Sequence, residues 1–306
     1  MKRILVTGGQ GFIGGYVVEE LLRRGYTPVI FDHHKKIDGL LPDGCDYFIG
    51  DVRDEVAMLE AVAHSDGAVH LAAVLGTQEC VKNPRPAAQS NLMGGLNFLE
   101  AVAQYDIPGV YIAVGNYWMN NPYSITKNMI ERFTFMYNKD RGTRVNIVRA
   151  VNAYGPRQSV AAPFGSSKVR KITPSFVCRA LTNKPIEIYG DGQNISDMVY
   201  VGDVAKALVT ALEKAEQGKV FHEAVECGPE QSHTVKEVAE LIIKLADSKS
   251  EIVHLPMRPG EQAGVDVTAN FFTLGLVDMD ADELVPLEVG MKKTVEYFKE
   301  WLNKQS

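Results

Sequence analysis

The chain has 306 residues, with 32 Lys+Arg against 38 Asp+Glu and a formal net charge of −6. That length holds one large domain or two coupled ones, and 45% hydrophobic with 23% charged residues excludes disordered, collagenous and disulfide-scaffold classes. The mildly acidic balance argues against nucleic acid as a partner.

Cys45, Cys80, Cys178 and Cys227 are too widely spaced for a metal site or a redox pair, so no metal is expected and the four read as reduced thiols. No apolar run approaches the ~20 residues that cross a bilayer. Lys2-Arg3 leads straight into a strand-like ILVTGG rather than a leader peptide, so the expected location is cytoplasmic, with no membrane partner.

Short β-branched apolar runs alternate with segments of helical period, the pattern of a parallel sheet covered on both faces. Strands are predicted at Arg3–Val6, Pro28–Asp32, Tyr47–Ile49, Ala68–Leu71, Val110–Val114 and Val145–Ala150. Helices are predicted near Phe12–Arg24, Glu55–His64, Ala87–Tyr105 and Pro122–Lys139. Ala68–Leu71 and Val110–Val114 are nearly all apolar, as strands buried on both faces are.

After Tyr154-Gly155-Pro156 the rhythm loosens. A Ser-, Pro-, Gly- and base-rich stretch precedes a helix at Pro174–Thr182, strands at Ile186–Tyr189 and Met198–Val201, and helices near Val204–Lys214, Val235–Ala246 and Leu287–Trp301. The expected fold is α/β, a Rossmann-type doubly wound parallel sheet with a smaller mixed α/β substrate-binding lobe. Residues 1–153 with 199–212 form the dinucleotide-binding domain, and residues 154–198 with 213–306 the lobe.

Thr7-Gly8-Gly9-Gln10-Gly11-Phe12-Ile13-Gly14 stands between the first strand and the first helix. Glycines at 8, 11 and 14 permit a tight turn, close backbone approach to a pyrophosphate and close helix–sheet packing, while the helix start offers free amides. Asp32 ends the second strand 18 residues after Gly14, where a carboxylate holds adenosine ribose hydroxyls and favours NAD over NADP. The following His33-His34-Lys35-Lys36 reads either as a 2′-phosphate site or as a solvated loop. Asp51-Val52 suits the adenine edge or a plain strand end.

Tyr123 and Lys127 lie four apart at the start of a helix and share one face. An ammonium near a phenol, with an oxidised nicotinamide, lowers a pKa otherwise about 10 and makes Tyr123 a general base.

These motifs resemble the extended short-chain dehydrogenase/reductase family, the nucleotide-sugar epimerases and dehydratases. The resemblance runs from the glycine fingerprint through His70-Leu71-Ala72-Ala73, Asn91, Tyr123 with Lys127, Asn152-Ala153-Tyr154-Gly155-Pro156-Arg157 and Tyr189-Gly190-Asp191-Gly192 to Arg258-Pro259-Gly260-Glu261. It implies a tightly held NAD and a nucleoside-diphosphate sugar whose C4 hydroxyl loses its proton to Tyr123 as hydride leaves, giving a transient 4-keto sugar. Leu71, Ala72, Ala73 and Asn91 become cofactor-pocket residues, with core packing as the alternative.

The same resemblance implies a homodimer through a four-helix bundle, and Phe133, Met136 and Tyr137 form an apolar stripe that either makes the contact or faces the sheet. A 4-ketoreductase or decarboxylase remains open, as does a non-catalytic NAD-binding sensor or scaffold.

Two departures stand out. The family places Ser or Thr at the end of the fifth strand, where this chain has Gly115-Asn116. Asn116 is the candidate replacement, with Thr77 and Ser124 as alternatives and turn formation as the plain reading of Asn116. Glu79 reads as an extra acid/base or a solvated loop carboxylate.

Ser196 occupies the position of a phosphate-binding arginine, leaving Arg258 as phosphate ligand. The basic segment Ser166–Lys171, with Lys168, Arg170 and Lys171, either folds over the diphosphate, with Arg157 or Arg170 replacing the lost arginine, or faces solvent. Asn152 and Tyr189 complete the expected substrate site.

Overall fold

The computed structural model describes residues 1–33 and 43–304. Its first half alternates strand and helix: β1 (Arg3–Thr7), α1 (Phe12–Arg23), β2 (Thr27–Asp32), β3 (Asp46–Ile49), α2 (Glu55–Ala63), β4 (Gly67–His70), α3 (Thr77–Lys82), α4 (Arg85–Ala87), α5 (Gly94–Tyr105), β5 (Gly109–Val114), α6 (Pro122–Arg141) and β6 (Val145–Ala150). The second half carries β7 (Asn152–Tyr154), α7 (Ile172–Leu181), β8 (Ile186–Tyr189), β9 (Ile195–Ser196), β10 (Met198–Tyr200), α8 (Val201–Glu216), β11 (Val225–Cys227), α9 (Val235–Leu245), β12 (Ile252–Leu255), β13 (Asp266–Val267) and α10 (Leu287–Asn303).

Seven parallel strands in the order β11-β6-β5-β4-β1-β2-β3 form the central sheet. Alternate residues serve opposite faces. Ile4, Val6, Ile30 and Val69 pack with Val17, Leu21, Leu208 and Leu212 of α1 and α8, while Leu5, Phe31, Ala68 and Tyr111 pack with Met58, Phe98, Leu99 and Ile130 of α2, α5 and α6. A third core, with Phe176, Ile186, Ile188, Ile242 and Phe298, joins α7, α9 and α10 to β8. No helix among the described residues is long and apolar enough to cross a membrane.

Local chemistry sets the helix starts that matter. Asp54 caps α2 by accepting from the Val56 and Ala57 amides, Asn121 caps α6 through the Ser124 amide ahead of Pro122, and Thr234 with Glu237 forms a reciprocal capping box on α9.

Three expectations change. The single helix expected over Ala87–Tyr105 is α4, a π-helical stretch Ala88–Met93 and then α5, whose Gly94 and Gly95 let Val52 and Ile130 come close. The segment expected as a loop after β4 holds α3.

The division at residue 213 also shifts. Val225–Cys227 pairs with β6 as the seventh strand, and the 3-10 segment Phe271–Val277 packs its Leu274 and Val277 into the same core. Those residues therefore belong with the central sheet rather than the smaller lobe. Three-residue strands are too short to show a period.

Candidate active site

Strand order reverses between β1 and β4, and their carboxyl ends part there. The gap widens into a cleft of about 610 Å³ lined from both lobes.

One end of the cleft is made for a pyrophosphate. Gly8 sits in the left-handed region at φ 69°, and a Cβ on Gly14 would collide with the Gly8 carbonyl and stand 2.8 Å from the Gly9 Cα. No side chain caps α1, so the amides of Phe12, Ile13 and Gly14 have no intrahelical acceptor; these residues line the cleft with Gly8 and Gly11. Asp32 lies beside them, accepting from the Gln10 amide at 3.3 Å and the His33 amide at 2.9 Å. His34, Lys35 and Lys36 lie outside the described residues.

Leu71, Ala72 and Ala73 line the next stretch. They are anchored by Thr7, whose Oγ1 accepts from the Leu71 and Ala72 amides at 3.1 and 3.2 Å. That hydroxyl is hydrogen-bonded to His70 Nδ1 at 2.8 Å, and burial pushes the imidazole down to about 3, with the Lys127 charge adding to it, and leaves the ring neutral.

Three further residues expected against the cofactor do not line this cleft and are engaged by neighbouring protein groups. Asn91 is 1% exposed and clamps the chain after β4, accepting from the Val74 amide at 2.7 Å and donating to the Val74 carbonyl and to Thr126 Oγ1. Val52 packs against Gly94, and its carbonyl accepts from Asn97. Asp51 grips Arg53 off the cleft, which holds its carboxyl below the usual range.

Tyr123 and Lys127 project from one face of α6 into the cleft. Lys127 is 2% exposed, with Nζ 4.2 Å from the centre of the Tyr111 ring. Burial pulls its ammonium down to about 7 against the pull of Glu131. Burial pushes the Tyr123 phenol well up rather than down, so the protein alone does not make it a base.

Asn116 lines the cleft and also makes the turn, its carbonyl accepting from the Met119 amide at 3.0 Å. Among the described residues its side-chain amide meets the Met119 thioether, at 3.1 Å. Ser124 does not line the cleft: it is fully buried, and its Oγ accepts from the Asn121 side-chain amide. Thr77 lines the cleft from the start of α3.

At the far end, Asn152, Arg170, Tyr189 and Arg258 line the wall. Asn152 donates to Ser196, the residue standing where an arginine was expected. Arg170 donates to the Tyr189 hydroxyl at 2.9 Å and to Glu187 at 2.7 Å, while Arg258 pairs with Glu261 and lies 4.6 Å from the Tyr189 ring centre.

Two basic residues expected at the substrate do not line the cleft. Arg157 points at α1, held by Glu19 and stacked 4.0 Å from Tyr16, and Lys168 does not line the cleft.

Sequence reasoning missed Gln158, whose Oε1 is buried without a partner on the cleft wall. It also left Lys171 within a general basic run. Lys171 is the residue from which α7 starts, and it has no capping bond of its own. Burial lowers its ammonium, opposed by Glu79 and assisted by Arg258. Glu79, on α3 rather than in a loop, lines the cleft with it. The signal available in sequence was the apolar period that begins immediately after Lys171.

Residues 4–119 and 111–228 match the NAD dependent epimerase/dehydratase family. A UDP-N-acetyl-alpha-D-glucosaminuronate decarboxylase of Bacillus cytotoxicus is 28% identical over 98% of both chains. A putative UDP-glucose 4-epimerase of Methanocaldococcus jannaschii is 31% identical over 84% of this chain and 87% of its own. The structure of a UDP-glucose 4-epimerase from Thermus thermophilus in complex with NAD superposes with a TM-score of 0.83 at 28% identity, covering 97% of this chain and 99% of that one.

Proposed function

The chain belongs to the NAD dependent epimerase/dehydratase family, and on that premise we propose that it acts on a UDP-linked sugar, with Tyr123 taking the proton of the C4 hydroxyl and Lys127 supplying the charge that makes this possible. The observation that carries the reading is the convergence of Tyr123, Lys127, the glycine cradle and Asp32 on one cleft.

The cradle fits a dinucleotide: Gly14 leaves room that a side chain would fill, the open start of α1 faces the pyrophosphate, and Asp32 receives the ribose. Bound NAD supplies a reversible hydride acceptor. The Lys127 ammonium stabilises the Tyr123 phenolate, which takes the sugar hydroxyl proton and is left as the neutral phenol. The Asn116 amide, held by a weak thioether acceptor, turns to the sugar oxygen and stabilises the developing charge in place of the usual hydroxyl.

The diphosphate lies against the uncapped start of α7, where Lys171 and Thr173 line the cleft, and against Arg258. Arg170 positions Tyr189, because Glu187 already engages its charge. The central sheet thus holds the cofactor and the smaller lobe the nucleotide half of the substrate.

The reading includes a homodimer. Ile125 and Met129 on α6 are 45% and 39% exposed, and Met93 at the start of α5 is 50% exposed. These form the contact in place of Tyr137, which is buried and bonded to Glu100.

Mass spectrometry of UDP-, GDP-, dTDP- and CDP-sugars incubated with protein and NAD in D₂O tests the reaction. A product of unchanged mass and altered retention marks inversion at C4. Deuterium uptake with loss of water marks dehydration, and loss of carbon dioxide marks the decarboxylase. Product that persists in the Tyr123→Phe variant removes the mechanism.

A further inference from the structure

One turn of α6 beyond Lys127, and off the cleft, one partly buried guanidinium holds two carboxylates. Arg149 on β6 donates from Nε to Glu131 of α6 at 2.9 Å, makes a second, shorter bond from Nη2 to the same carboxylate, and donates from Nη1 to Glu226 of β11 at 2.6 Å. The Tyr117 ring covers the guanidinium, 3.7 Å from its carbon. The other Glu226 oxygen accepts from the Asn270 amide at 2.7 Å. The Arg149 and Glu131 side chains are 13% and 4% exposed.

Two carboxylates on one guanidinium leave a negative charge inside the protein, a costly arrangement unless a cation balances it. Glu131 follows Lys127 by one helical turn on the same face of α6, and both are buried. The other groups facing Lys127 carry no charge near neutral pH. His70 of β4 is held neutral by burial, the Tyr111 phenol of β5 is pushed far up by burial, and the Tyr123 phenol of α6 is raised likewise.

We propose that the Glu131–Arg149–Glu226 triad is a positioning device for the reaction: its uncompensated negative charge keeps Lys127 an ammonium beside Tyr123, and its Tyr117 contact fixes the turn that presents Asn116. Glu131 and Arg149 are thus positioning residues, acting through Lys127 and Asn116 without touching substrate. Asn128 reinforces the turn by donating to the Tyr117 carbonyl at 3.2 Å. Burial draws Lys127 down to about 7, and Glu131, the member of the triad on its own helix face, opposes that fall. The inference rests on the reading of Tyr123 and Lys127 given above.

The test follows lysine titration by NMR in full-length protein carrying ¹³C at lysine Cε, without added cofactor. The Lys127 signal is identified by its loss in Lys127→Arg. In Glu131→Gln the titration midpoint is expected to fall by about one pH unit, a roughly tenfold loss in the ammonium-to-amine ratio near that midpoint. Glu226→Gln is expected to lower it less, and Glu131→Asp to keep it near the wild-type value.

An unmoved midpoint in Glu131→Gln overturns the inference. Should that variant not fold, Glu226→Gln decides in the same way. This readout is independent of turnover: a Lys127→Met variant that still converts substrate defeats the functional reading, whereas an unmoved midpoint defeats only the role of the triad.

Discussion

The Tyr123 phenol is raised by burial, so its use as a base depends on positive charge brought to it. Loss of the hydroxyl in Tyr123→Phe is expected to lower kcat by roughly 10²–10⁴-fold while NAD affinity, measured by calorimetry, stays unchanged. His70 shows the opposite use of burial. Its imidazole is held down at about 3 in the folded chain against 6.5 when free, so between those values the unfolded chain takes up a proton that the folded chain excludes. Stability is then fully present above about 6.5 and falls as the pH drops toward 3, by roughly 2 kcal/mol at about pH 5 from this group. Urea unfolding at neutral and mildly acidic pH checks this: His70→Gln should show a smaller acid loss than the parent, and an equal loss assigns the acid sensitivity to other groups. The Tyr–Lys spacing was readable because a helix fixes which residues share a face. That Asn91 is a clamp, and that Arg157 is held by Glu19, was not readable, since each depends on a partner distant in sequence.

Helix α7 shows how an element turns a charge run into a site. Its start is uncapped, its first residues line the cleft, and Lys171 stands at the mouth beside Glu79 and Arg258. Lys171→Met is expected to raise the KM for the nucleotide sugar about tenfold, the order of one lost charge-assisted contact, with NAD binding unaffected. A KM that stays put places the diphosphate elsewhere. Long amphipathic elements such as α1, α6 and α8 were legible from their period, whereas α3, β7, β9, β11 and β13 have two to six residues, too few to display one. The π turn that precedes α5 was also hidden: it lies directly before Gly94 and Gly95, which pack close to Val52 and Ile130, and no local signal announces it.

For the whole molecule, the exposed apolar stripe on α6 with Met93 is the expected contact between two copies. Replacing Ile125 and Met129 together by Glu should shift the mass seen in sedimentation equilibrium from dimer to monomer while the fold is retained, and a parent protein that sediments as a monomer removes the interface. By itself the sequence determined the doubly wound sheet, the glycine cradle with Asp32 and the Tyr123–Lys127 pair. Each of these is set by strand alternation, turn geometry or helical spacing within a few residues. Only the tertiary structure decided which cations reach the cleft, where the seventh strand comes from, and that a triad of Glu131, Arg149 and Glu226 forms one helical turn beyond Lys127. Charged side chains choose among many partners by long-range packing and by the cost of burying an unpaired charge, and neither is written in the order of neighbouring residues.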